Sequence, residues 1–218
     1  MTTIKTVIFP LAGMLAALSL SAPAAILLNE IHLRTPGSTN LIPNDRNYEF
    51  VELRSTTGGV EACTNLSILM LDNDGSNVGA IKQVWTLKDA SDAWLQTGAN
   101  GLLLLGDDYH RPESPWASVK SPQTVLADPK GMGPDEMPDV DAVSFLLVSG
   151  YTSPAPNAGA DVDVDLDNDT LPDWAVPSPP AGGLTAAPWS AIVDSIGFNG
   201  DQRVGRPDVR SLDRKSVV

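Results

Sequence analysis

Short apolar runs of four to eight residues recur along this chain, rich in Val, Ile, Leu and Phe and closed off by Gly, Pro, Asn and Asp. Helical periodicity is almost absent. Such punctuation is the pattern of short β-strands, because a strand buries residues at period two over a few positions and then needs turn chemistry. The runs predict strands near 26–33, 48–55, 65–71, 81–87, 101–106, 123–127, 142–149 and 190–198. Eight strands suit an all-β, two-sheet sandwich. Two irregular stretches, 107–141 and 150–189, hold a large share of the 18 prolines. Proline cannot donate to a sheet ladder, so these read as long loops. Loops of that length are uncommon in compact domains unless they carry function or are fastened down. No repeat of 20 to 50 residues is visible, which argues against a solenoid or propeller.

Residues 1–24 read as a signal peptide: Lys5 gives a basic start, Val7 to Leu20 an uncharged apolar core, and Ala22-Pro23-Ala24 the small residues of a cleavage site before Ala25. A membrane anchor is the competing reading; it needs about 20 apolar residues, and Pro10, Gly13 and the Ser19 to Pro23 flank weaken it. The expected product is exported: secreted, periplasmic or at the cell surface, with no membrane span in the mature chain. It divides into a sandwich over 25–200, with an Asp-rich loop at 157–176, and a basic, flexible tail over 201–218. Cys63 is the single cysteine and has no internal partner, so the fold must rest on its own core or on bound ions. Cys63 reads as a small buried hydrophobe on a strand rather than a reactive thiol.

The chain has 14 basic and 27 acidic residues, a net charge of −13. Losing Lys5 with the leader leaves 13 against 27, or −14. A surface of that sign repels phosphate backbones, and the one basic cluster, Arg203, Arg206, Arg210, Arg214 and Lys215, lies on the tail. Nucleic acid is not an expected partner. Divalent cations, or simple solubility, fit the acidic balance better.

The specific chemical signal lies in the second long loop, where Asp161, Asp163, Asp165, Asp167, Asp169 and Asp173 stand at or close to two-residue spacing. From Asp165 the spacing is D-x-D-x-D-x-x-x-D, which resembles the calcium loops of dockerin and thrombospondin type 3 repeats. In such loops carboxylates at positions one, three and five converge on one ion, and a carbonyl at seven and a group at nine complete the oxygen shell of Ca²⁺. The candidate ligands in that register are Asp165, Asp167, Asp169, the Leu171 carbonyl and Asp173. Position six is then Thr170, which resists the left-handed turn, and position twelve is Val176 rather than Glu. A register beginning at Asp163 puts Asn168 at the turn, but places Leu171 at position nine. The bland alternative is an acidic, solvated linker. A weaker acidic turn, Leu71 to Asn77, reads as an Asp-Gly hairpin.

Catalytic constellations are thin. His32 falls on the first strand with Glu30, facing solvent, and His110 lies in a D-D-Y-H-R stretch; no nucleophile elbow, H-E-x-x-H, phosphate loop or Cys-His pairing accompanies either. Glu49 and Glu52 are three apart on a strand and so point to opposite faces, which is poor geometry for one acid/base site. Glu52 is expected to make a buried structural hydrogen bond. No catalytic or organic-cofactor residue is assigned.

The series ILLNEIHL, NYEFVELRSTTGGV, LSILMLDNDG and TGANGLLLLGDD over residues 26 to 105 resembles the lamin-tail domain as it occurs in secreted bacterial proteins. FLLVSGYTSP, the Asp-rich loop and PWSAIVDSIGF look like the continuation seen in calcium-loop-bearing relatives. The resemblance implies an immunoglobulin-like sandwich used as a non-catalytic binding or scaffolding module. Its partner would be an extracellular protein or glycan. A glycan version requires at least two solvent-facing indoles among Trp85, Trp94, Trp116, Trp174 and Trp189, although buried Trp is commoner. The second function class is a metal-dependent hydrolase of phosphoesters or polysaccharides, or its accessory domain, since lamin-tail domains occur beside nucleases and phosphatases. Oligomeric state stays open, because an exposed edge strand can pair with its copy.

Overall fold

A computed structural model describes residues 26–32, 50–73, 78–106, 124–127, 129–130, 142–156, 161–169 and 171–198. The predicted leader, tail, Asp74-Gly75 turn, Glu49, His110, Trp116 and Thr170 lie outside these residues, as does most of the 107–141 loop.

All eight predicted strands are present, with ends shifted by one or two residues. They are β1 (Ile26–His32), β2 (Phe50–Ser55), β3 (Leu66–Asp72), β4 (Ala80–Thr86), β5 (Leu102–Leu105), β6 (Thr124–Ala127), β7 (Val143–Ser149) and β9 (Ala191–Phe198). A ninth, β8 (Val162–Asp163), was not anticipated. No α-helix occurs among the described residues, and no helix there is long and apolar enough to cross a membrane. One sheet has the order β1-β2-β5-β6, the other β8-β4-β3-β7-β9, and the pairs are antiparallel except β5 with β6. The protein is an all-β sandwich.

Alternation fixes the inner layer. On β2, Val51 and Leu53 face inward while Glu52 and Arg54 face out; in the opposite sheet Ile68, Met70, Trp85, Phe145 and Leu147 meet them. Trp85 and Phe145 sit 6.0 Å apart at their ring centroids, and Phe145 meets Phe198 edge to face at the same distance. Cys63 is fully buried in this core, in the loop before β3 rather than on a strand, with its N–H donated to the Leu95 carbonyl at 2.8 Å. Burial, reinforced by the charge of Glu61, pushes its thiol up to about 12.

The open seams of the sandwich are fastened by one or two hydrogen bonds each. The Leu28 N–H, at a bulge in edge strand β1, donates to Asp194 Oδ2 on β9 at 3.1 Å. Across the other seam the Thr86 N–H donates to the Lys130 carbonyl, and Lys130 N–H to that of Lys88. Such fastenings occupy backbone groups that edge-to-edge pairing with a second copy would use.

A further layer covers the outside of the five-stranded sheet. Strand β3 is buried on both faces: Ile68 and Met70 join the inner core, whereas Leu69 and Leu71 join Ile81, Val148 and Val164 in a second cluster. Packed on that cluster are Val162, Trp174, Leu184 and Trp189, all from the second Pro- and Asp-rich stretch. Trp174 and Trp189 meet edge to face at 5.5 Å. The loop therefore belongs to a second apolar core.

Candidate metal centre

The acidic run begins extended and then turns. Val162 and Asp163 pair with Ile81 and Ala80 of β4, and the Val164 N–H donates to the Gly79 carbonyl at 3.1 Å. Alternation sends Val162 and Val164 toward the sheet. The chain next reverses: the Asn168 N–H donates to the Asp165 carbonyl, and Asn168 adopts φ 57°. Asparagine tolerates this left-handed conformation, which β-branched residues resist. This left-handed residue stands at position six of the register that begins at Asp163.

The reversal brings Asp165, Asp167 and Asp173 together, with one carboxylate oxygen of each within 4.8 Å of the others. Oxygens bound to one Ca²⁺ at its usual bond lengths lie at most about 5 Å apart, so this spacing is within the span of a shared ion. Asp165 is 5% exposed and Asp173 fully buried, while Asp167 is exposed and gives the cluster a solvent side. Two ionised carboxylates at about this separation repel by on the order of 3 kcal/mol at an effective dielectric of about 20.

Backbone N–H groups offset part of that repulsion. Asp173 accepts from the Leu166 N–H through Oδ1 at 3.0 Å and from the Leu184 N–H through Oδ2 at 2.9 Å. Its own N–H donates to the Val164 carbonyl at 2.8 Å. Asp165 Oδ1 accepts from the Asp169 N–H at 3.0 Å. Hydrogen bonds from N–H groups to carboxylates are among the stronger kind and tie the loop to itself.

The remaining sequence candidates are placed differently. Asp161 Oδ2 accepts from Lys82 Nζ at 3.0 Å, and Lys82 also lies 3.7 Å from Asp72. The hydrogen bond with Asp161 raises the Lys82 ammonium above its ordinary value. Asp163 Oδ1 accepts from the Asp165 N–H at 2.9 Å; burial, only partly opposed by that bond, holds this carboxyl above the usual carboxylate range. Asp169 Oδ1 accepts from the Leu171 N–H at 2.8 Å, and the Leu171 side chain is exposed. Three of the six aspartates therefore share one small volume.

Two neighbours escaped sequence reasoning. Gly79, at φ +91°, lies so close to the loop that an added Cβ would meet Asp165 Cβ at 2.9 Å and Asp163 Oδ1 at 3.0 Å. Lys82 is the other, and only the fold brings it to Asp161.

His32 and Glu30 are exposed: strict alternation from buried Ile26 and Leu28 would turn both inward, and the β1 bulge between Leu28 and Glu30 switches the face, while His32 stacks on Phe50. Glu52 accepts from the Asn29 side chain at the surface, so the hydrogen bond expected of it is exposed rather than buried; its partner sits at the rim of the sheet on the β1 bulge. Trp85 is buried, Trp94 lies against Lys88, and Trp174 and Trp189 are half-buried against the sheet. Comparison with protein-family models and with curated proteins finds no match for this chain.

Proposed function

We propose that the chain is an exported, calcium-stabilised β-sandwich module that binds or scaffolds another macromolecule outside the cell. The observation that carries the ion reading is the meeting of Asp165, Asp167 and Asp173 within 4.8 Å, two of them buried. Hard oxygen donors of that charge suit Ca²⁺, with waters or backbone carbonyls as further oxygens. The leader-like start supports export, the acidic balance suits a divalent cation, and the sequence resemblance to lamin-tail domains supports a non-catalytic role with an extracellular protein or glycan as partner.

A thermal melt of the full chain in millimolar Ca²⁺ and again in excess chelator tests this reading, since a ligand of the native state alone raises the midpoint by mass action. The midpoint is expected to rise with Ca²⁺ and the rise to shrink in Asp167→Asn, whose exposed carboxylate contributes to the cluster. Asp161→Asn, in the Lys82 pair, is expected to keep the rise. Coincident wild-type curves would leave the aspartates as a hydrogen-bonded loop and end the calcium reading.

A further inference from the structure

The outer face of the five-stranded sheet is apolar, presenting Leu69, Leu71, Val84, Leu146 and Val148. A sheet apolar on both sides must be covered on both. Its outer cover is the segment 161–190, which among the described residues joins the sheet ladder over two pairs, Ala80 with Asp163 and Ile81 with Val162, and is otherwise held at its ends by single bonds: Val164 N–H to the Gly79 carbonyl, Lys82 Nζ to Asp161, Thr152 N–H to the Pro188 carbonyl and Ser190 N–H to the Ser149 carbonyl. By contrast β3 and β7 pair over seven. The two apolar clusters share no residue, because the sheet itself separates them. Lifting the cover thus breaks the outer cluster and leaves the inner one intact, the arrangement in which parts of a protein open separately.

One side chain ties the cover to itself. Fully buried Asp173 accepts N–H groups from Leu166 on one side and Leu184 on the other, eighteen positions apart along the segment. We propose that 161–190 opens as a unit while the two-sheet core stays folded, and that Asp173 is its latch. The device goes beyond the calcium reading and does not need it.

Hydrogen exchange of the full chain, followed by mass spectrometry in excess chelator and over a series of low guanidinium concentrations, tests the device whatever the calcium melt shows. Peptides covering 161–190 are expected to exchange through one shared opening, about a hundredfold or more faster than the β3 and β7 ladders. Asp173→Asn keeps the shape but turns an amide N–H₂ toward one of the two N–H donors. It is expected to speed exchange of the cover about five- to a hundredfold, as the loss of a buried acceptor implies, and to leave the ladders unchanged. A cover that exchanges together with β3 and β7 in the unsubstituted chain would overturn the proposal, and that comparison stands even if the variant fails to fold. Equal acceleration of cover and ladders by Asp173→Asn would overturn the latch.

Discussion

Replacing Gly79 by Ala tests how the sheet positions the acidic loop. The residue sits at φ +91°, where a Cβ costs about 1–2 kcal/mol, and its N–H donates to the Asp72 carbonyl, so this cost falls on the β3–β4 connection itself. At about 2–4 °C per kcal/mol for a domain of this size, the backbone share alone lowers the melting temperature by about 2–8 °C. The new methyl also meets Asp165 Cβ at 2.9 Å, Asp163 Oδ1 at 3.0 Å and the Asp165 nitrogen at 3.0 Å. Overpacking of that kind costs about 1–3 kcal/mol, and the least costly relief is to push the loop off the sheet. Gly79→Ala is therefore expected to melt lower and to accelerate exchange across 161–190 beyond what the melting shift explains. Two companions separate the effects. Gly182→Ala, at φ +90° with only an ordinary 3.8 Å contact to Leu166, carries the backbone cost without the clash. Gly59→Ala meets nothing within 4 Å and should stay within about 0.5 kcal/mol of the unsubstituted protein. Melting by circular dichroism and exchange by mass spectrometry read both. A Gly79→Ala protein that behaves like Gly59→Ala would refute the close approach of loop and sheet.

Further outcomes follow from the ionisable groups. Cys63, with its thiol at about 12, is expected to resist iodoacetamide at pH 8, where only about one thiol in ten thousand is ionised, and to react once denaturant opens the core; labelling of the native chain at the rate of a free cysteine would contradict its burial. Carboxyl resonances followed by carbon NMR should titrate with midpoints displaced in opposite directions from 3.8. The Ser91 hydroxyl and nearby N–H groups hold Asp89 below 3.8, and Lys130 does the same for Asp92, so their support of the fold is present above 3.8 and lost as pH falls through the lowered values. Asp163 lies above 3.8 through burial, so its ionisation opposes folding at neutral pH and that opposition is relieved as pH falls through the raised value. A midpoint for Asp163 below that of Asp92 would refute the assignment.

Strand positions were legible because each strand spends its apolar residues at short range and ends at turn residues, so local pattern and tertiary role coincide. The cover was legible only in part. ILML of β3 and FLLV of β7 are continuous apolar runs rather than alternating ones, which signals burial on both faces, yet that pattern names no partner for the second face. The partner is supplied by Trp174, Leu184 and Trp189, scattered among prolines with no periodicity to join them to a sheet. Strand β8 is two residues long, below the length at which alternation can be recognised. At the site, the spacing of the aspartates was informative, but which of them converge depends on the Asn168 reversal and on Lys82 drawing in Asp161, contacts set by the fold.

The two-residue period of the run from Asp161 to Asp167 satisfies two demands at once. In its extended part the even positions, Val162 and Val164, fill the outer core, while the odd positions carry the carboxylates along the other side. Past Asp165 the chain reverses, and Asp165 is carried inside with Asp173 rather than left in solvent. Apolar cover and acidic cluster are therefore one piece of backbone and cannot move independently. On the proposed reading, an ion bound by Asp165, Asp167 and Asp173 exists only when 164–173 is in place, so its binding energy adds directly to the closed state of the cover. Calcium should then slow exchange in 161–190 more than in the β3 and β7 ladders wherever the ladders exchange without global unfolding. Equal slowing in both regions would instead mean that cover and core open as one.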